Sequence, residues 1–164
     1  MIKIGKNLSE WSVYSCQPKK TYELKKIIKD RISKEGYNCD LNDIDVSLIT
    51  DMSYLFYYLD FRGDISEWNV SNVEDMSRMF FGTNFNQDIS KWNVRNVKDM
   101  TRMFQYSTFD QDISKWNIRK ECDTAYMFLK CTIKEEYKPK LSNDQDWKES
   151  FEVLDLFLHP KEQV

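Results

Sequence analysis

The chain has 164 residues, 24 basic and 27 acidic, for a net charge of −3, a size at which one domain buries about two-thirds of its unfolded surface. That balance leaves no electrostatic footprint for nucleic acid or an anionic membrane, and no stretch approaches the ~20 apolar residues of a membrane span. Cys16, Cys39, Cys122 and Cys131 show no CxxC pair, and His159 is the single histidine, which argues against a structural zinc site. No apolar run follows Met1-Ile2-Lys3-Ile4-Gly5-Lys6, so the thiols read as those of a reduced, cytoplasmic protein without a secretory signal.

In chain order, residues 1–39 form an N-terminal segment with nine basic and four acidic groups, net +5, ahead of an array at 40–131 with net −5. Charge complementarity within the chain is the simplest account, and a separate basic binding face the alternative. Leu24, Ile27, Ile28 and Ile32 fall on one stripe of a helix expected over about Thr21 to Glu35. Thr21 is placed to N-cap it and Gly36 to end it with positive φ. The array needs its end covered, which assigns this helix as a cap. Upstream, Leu8 to Val13 echoes Ile65 to Val70 at an offset of 57, either a decayed copy or coincidence.

From Asp40 to Cys131 a 24-residue unit recurs four times in register. Aligned columns hold Ile44, Trp68, Trp92 and Trp116; Asp51, Asp75, Asp99 and Asp123; and Phe56, Phe80, Phe104 and Phe128. Self-similarity at this period points to an α/β solenoid, a leucine-rich-repeat-like array of four strand-plus-short-helix units with helical caps at both ends. In the second copy Ile65, Trp68 and Val70 suggest a short extended segment. Asn72 then N-caps a brief helix carrying Val73, Met76, Met79 and Phe80. The Met and Trp columns read as core ladders rather than a cofactor box. The repeating aspartates read as acceptors for backbone donors in turns and at helix starts, rather than as calcium ligands or catalysts.

The last copy decays, with Glu121, Cys122 and Thr124 in place of the earlier pattern, as expected where a cap takes over. Residues 132–164 supply one. Ser142 and Gln145 have capping-box spacing, and Trp147, Phe151, Leu154 and Leu158 follow on one helical face before Pro160.

The units Asp88 to Phe104 and Phe85-Asn86-Gln87-Asp88-Ile89-Ser90 resemble the BspA-like leucine-rich-repeat proteins of bacteria, as do Leu41 to Ser53 and the helix before them. The resemblance spans about residues 18–131 and implies a leucine-rich-repeat fold that binds protein without catalysis. Many members of that family are long surface proteins or lipoproteins implicated in adhesion.

No phosphate loop, metal-ligand spacing or nucleophile–base pair stands out, so neither an enzyme nor a cofactor is expected. What varies between copies is the column at Tyr54, Arg78, Arg102 and Tyr126 and the one at Tyr57, Phe81, Gln105 and Leu129, with Tyr58 and Tyr106 beside them. Positions that change while the core stays constant face solvent, and Tyr, Phe and Arg are the types enriched at interface hot spots. The competing reading is that some of these aromatics pack between neighbouring helices. The expected binding set is therefore Tyr54, Tyr57, Tyr58, Arg78, Phe81, Arg102, Tyr106 and Tyr126. A second strip, Glu67, Lys91 and Lys115 with Ser71, Arg95 and Arg119, reads as a solvated face of mixed charge. The expected function is a cytosolic inhibitor or immunity protein. It would be monomeric until it occludes one protein partner, with a basic toxin or nuclease suited to the acidic array. A short surface-adhesion protein is the alternative.

Overall fold

The computed structural model describes residues 16–141. The expected N-terminal helix is present as α1, Thr21–Glu35, with Leu24 and Ile28 buried against the array and Ile27 and Ile32 partly so. Its capping differs from expectation at one end. Lys20, not Thr21, is the N-cap, and Thr21 Oγ1 instead donates to the Asp51 carbonyl at 2.7 Å. Gly36 closes the helix with φ +86°, its N–H on the Ile32 carbonyl at 2.8 Å. Arg31 fixes α1 to the first copy, donating to both carboxylate oxygens of Asp43 at 2.9 Å.

The array is not made of strand-plus-helix units. Among the described residues α1 is the only α-helix, joined by one 3-10 turn at Glu135–Tyr137. β-pairing is limited to isolated parallel bridges, Asp51 to Asp75, Asp75 to Asp99, Asp99 to Asp123, and Cys16 to Ile44. Among the described residues there is no sheet, and no short helix follows Asn72, which corrects the expected leucine-rich-repeat-like α/β architecture.

The reason lies in where each backbone N–H goes. In an α-helix every N–H returns to a carbonyl four residues back. Here alternate residues send theirs out of the copy: Met76, Arg78, Phe80 and Gly82 donate to the carbonyls of Asp99, Thr101, Met103 and Gln105, all at 2.9 Å. The first copy does the same from Met52, Tyr54, Phe56 and Tyr58, and the third from Met100, Arg102, Phe104 and Tyr106. The residues between them close local turns, Leu55 N–H on Met52 O at 3.2 Å and Leu59 N–H on Phe56 O at 2.9 Å. The third residue of each of these turns, Tyr54 at φ 55° and Tyr58 at φ 51°, is left-handed, as a type II turn requires. A Val-Met-Met-Phe spacing that mimics one helical face thus belongs to a run of turns stacked on its own copies.

Side chains complete the stacking. Phe56, Phe80, Phe104 and Phe128 lie nearly parallel with centroids 5.4, 5.5 and 5.8 Å apart. Phe61, Phe85 and Phe109 form a second column at 6.2 and 6.3 Å. The Met and Trp columns are buried, and each indole N–H reaches back one copy: Trp68 to Leu41 O at 2.9 Å, Trp92 to Ile65 O at 3.3 Å, Trp116 to Ile89 O at 3.2 Å. Asn72, placed in sequence as a helix cap, donates its amide to the Ser47 carbonyl at 2.8 Å, and Asn96 repeats this on Ser71 at 2.7 Å.

Both aspartate rows serve turns. Asp51, Asp75, Asp99 and Asp123 each accept the N–H two residues on, at 2.7 to 2.9 Å, and Asp64, Asp88 and Asp112 do so at 2.8 to 2.9 Å. These are Asx-turns, with no helix start involved.

Past the fourth copy the chain begins a partial fifth turn. Ile133 is buried in the column of Phe61, Phe85 and Phe109, and Ile113 N–H donates to Tyr137 O at 3.0 Å. The helix expected from Ser142 and the echo at Leu8 to Val13 lie outside the described residues.

Candidate functional site

The eight residues expected at a binding surface come from two columns of turns that the stacking brings side by side. Tyr54, Tyr57, Tyr58, Phe81 and Tyr106 form one continuous cluster. Tyr57 lies 5.3 Å from Tyr54, 4.7 Å from Tyr58 and 5.1 Å from Phe81, and Phe81 lies 5.5 Å from Tyr106. Two arginines border it. Arg78 sits over the Tyr54 ring at 5.3 Å and donates to its hydroxyl at 2.8 Å, while Arg102 sits over Tyr126 at 5.2 Å. Such cation–π contacts are worth about 0.5–1 kcal/mol at an exposed site.

The alternative of aromatics buried between neighbouring elements applies only in part. Tyr54 is 42% exposed, Tyr57 41%, Tyr58 65% and Tyr106 43%, enough ring surface to contact a partner. Phe81, Arg78, Arg102 and Tyr126 are half-buried.

Six of the eight carry positive φ, between 51° and 59°: Tyr54, Tyr58, Arg78, Arg102, Tyr106 and Tyr126. Left-handed backbone costs a residue with Cβ roughly 1–2 kcal/mol, and glycine avoids that cost. In all of these but Tyr126, a backbone hydrogen bond to the following copy holds the conformation. Glycine occupies one of the equivalent positions, Gly82 at φ 64°. A Cβ there would lie 2.5 Å from the Tyr58 ring. Gly82 therefore lets Tyr58 lie flat across the next copy and meet Phe81 at 5.3 Å.

Two further positions shape the face, Lys130 outside the expected set and Gln105 within a variable column but buried. Lys130, left-handed at φ 55°, places its Nζ 6.0 Å from the Tyr106 ring centre. It continues the Tyr58, Gly82, Tyr106 column, which is the signal that could have found it. Gln105 is buried at 6% exposure, and its Oε1 has no hydrogen-bond partner among the described residues. Its column alone could not have separated it from the exposed Tyr57.

Charge is distributed unequally over the array. None of the ion pairs among the described residues uses Arg78 or Arg102. Within the mixed-charge strip Lys91 pairs with Glu67 at 3.6 Å, and elsewhere in the array Lys98 pairs with Glu74 at 2.8 Å. Chemistry by the thiols is disfavoured: burial raises Cys39 and Cys131 above the ordinary thiol value and pushes Cys122 up to about 12, so they stay protonated and poorly nucleophilic at neutral pH. Among the described residues no three His, Cys, Asp or Glu side chains converge as metal ligands, and no helix is long and apolar enough to cross a membrane.

A family model described as "Mycoplasma protein of unknown function, DUF285" matches residues 23–141. The chain belongs to that family. The match runs from α1 through all four copies to Leu141, so the whole described core of this DUF285 protein, including the aromatic face, lies within it. No curated protein and no solved structure matches.

Proposed function

We propose that this DUF285 chain is a non-catalytic binding module that captures one protein partner on the face built by Tyr54, Tyr57, Tyr58, Phe81 and Tyr106 with Arg78 and Arg102. One observation carries the reading: exposed Tyr54, Tyr58 and Tyr106 and half-buried Arg78 and Arg102 occupy left-handed backbone positions where glycine would be less strained. Strain retained at outward-facing positions argues that the side chains themselves are needed. Tyr and Arg on a rigid backbone bring contact area and hydrogen bonds with little ordering cost.

The array's net acidity suggested a basic toxin or nuclease. Its two aspartate rows, however, are tied into turns, whereas the aromatic columns carry Arg78, Arg102 and Lys130 and no carboxylate. The face therefore suits a partner that presents carboxylates beside apolar groups. Inhibition by occlusion, as an immunity protein would achieve it, remains the proposed mode of action. The Asp-Ile-Ser-x-Trp-Asn units also support kinship with the BspA-like proteins.

The test replaces Tyr54, Arg78, Arg102 and Tyr126 together by glycine. These substitutions remove side chains while relieving backbone strain, so folding is kept. A partner captured at one-to-one stoichiometry, identified and rebuilt from purified components, is expected to bind at least about 100-fold more weakly, given hot-spot losses of ~2 kcal/mol or more. Unchanged affinity of the glycine variant would sink the reading.

A further inference from the structure

In one column of the array the two ends are chemically opposite. Met52, Tyr54, Phe56, Tyr58 and their counterparts in the next two copies all donate to the following copy, so there carbonyls face the N-terminal end and N–H groups the C-terminal end, while Glu74, Lys98, Asp123 and Thr132 donate the other way in separate columns. At the first end α1 meets the exposed carbonyls with donors: Thr21 Oγ1 on Asp51 O at 2.7 Å and Lys25 Nζ on Ser53 O at 3.2 Å. At the other end the equivalent groups are the N–H of Thr124, Tyr126, Phe128 and Lys130. In each earlier copy that column of donors is paired at 2.7 to 3.0 Å, but these four have no acceptor among the described residues. The partial fifth turn covers a different corner, through Thr132 N–H on Ser107 O at 3.3 Å and buried Ile133. Beside the open donors lies a cavity of about 320 Å³ walled by Tyr126, Phe128, Leu129, Pro139 and Leu141. Buried without partners, four such N–H groups would cost about 1–3 kcal/mol each, and as an open edge they invite pairing with another chain.

We propose that residues 142–164 of this chain cover the C-terminal end, their acidic side chains accepting from these four N–H groups and their apolar side chains filling the cavity. The described chain stops at Leu141, in the wall of that cavity, so the segment starts at the site and is held there at high effective concentration. It carries Trp147, Phe151, Leu154 and Leu158 at the spacing of one helical face. Its charge is also of the required sign. Residues 142–164 hold six acidic and two basic groups, against the basic α1 segment at the carbonyl end. Donor-bearing lysine and threonine meet the carbonyl edge, and the segment that follows Leu141 is rich in acceptor-bearing aspartate and glutamate. The charge segregation along the sequence thus matches the polarity of this hydrogen-bond column, as charges complement the ends of a helix.

Backbone hydrogen exchange on the full chain tests this. The amides of Thr124, Tyr126, Phe128 and Lys130 are expected to exchange at least about 100-fold more slowly than unstructured amides. In a variant carrying Asp144→Asn, Asp146→Asn, Glu149→Gln, Glu152→Gln and Asp155→Asn they should accelerate about tenfold or more. Those of Met100, Arg102, Phe104 and Tyr106 should stay slow and so report an intact array. Phe151→Ser should have the same selective effect through the cavity. Free exchange of the four amides in the unmodified chain would overturn the proposal. So would protection that survives both variants, or protection that rises with protein concentration and so reveals a second copy as the cover.

Discussion

The array's inner and outer aromatic columns, one residue apart along the chain, obey opposite rules. Phe56, Phe80, Phe104 and Phe128 repeat without substitution, while the next position reads Tyr57, Phe81, Gln105 and Leu129. Each inner ring packs on its own counterpart one copy away, so a change at one level leaves a void at three. Outer residues also touch, Tyr57 stacking on Phe81 at 5.1 Å, but their burial differs from copy to copy, from Tyr57 at 41% exposed to Gln105 at 6%. Identity is kept where successive rings are fully buried against one another, and variety appears where the surroundings differ between copies.

The sharpest way to break this comparison is to truncate both columns in the same copy. Phe80→Ala should destabilise by about 3–5 kcal/mol in denaturant titration. Phe81→Ala, at a half-buried ring touching Tyr57, Tyr58 and Tyr106, should cost about half as much. Equal costs would mean that the outer column is core. Backbone crowding gives the next effect. A Cβ at Gly63 would lie 1.9 Å from the Cys39 carbonyl oxygen and 2.7 Å from the Phe61 ring, so Gly63→Ala should lose about 1–3 kcal/mol or more. Trp92→Phe removes the indole donor from the Ile65 carbonyl, which keeps its bond from the Trp68 N–H, for about 0.5–1.5 kcal/mol. A loss below a few tenths would show that the indole ladder serves packing alone. At the outer column the sign should reverse. Gln105→Met removes a buried oxygen without a partner and should raise the thermal midpoint by a few degrees, equivalent to about 1 kcal/mol.

Acid should weaken the turns rather than the rings. The Ser90 N–H and hydroxyl hold Asp88 below the usual carboxylate range, and the Ser114 hydroxyl and N–H do the same for Asp112. A carboxyl whose value is lower folded than unfolded adds stability above the unfolded value of about 3.9, and that stability is lost as pH falls through the folded one. Thermal midpoints measured across pH should therefore be level from about 8 to 5 and fall below about 4. A midpoint that rises on acidification would exclude the aspartate turns as the pH-sensitive element.

Several features were legible in the residues. The repeat boundaries, the buried Phe, Met and Trp columns, α1 and the structural use of the aspartates all follow from composition at fixed spacing, because burial and turn chemistry are local demands repeated four times. The form of each unit was not legible. Val73, Met76, Met79 and Phe80 fall on one helical face and are all buried, and spacing cannot tell a helix from turns stacked on copies of themselves. The exposed aromatic set was found from its variability, but Gly82 and Gln105 were not. Their roles depend on the ring of Tyr58 lying across the next copy and on how deeply one column sinks between its neighbours.

Residue spacing and composition alone settle that this protein repeats, which side chains of the array it buries, and how charge is divided between its ends. Only the tertiary structure decided the backbone that realises this, because the choice between a helical and a stacked N–H depends on whether the next copy offers a carbonyl within reach. It also decided which aromatics stay exposed, since Tyr54, Tyr58 and Tyr106 acquire their outward-facing, left-handed geometry from hydrogen bonds to the following copy.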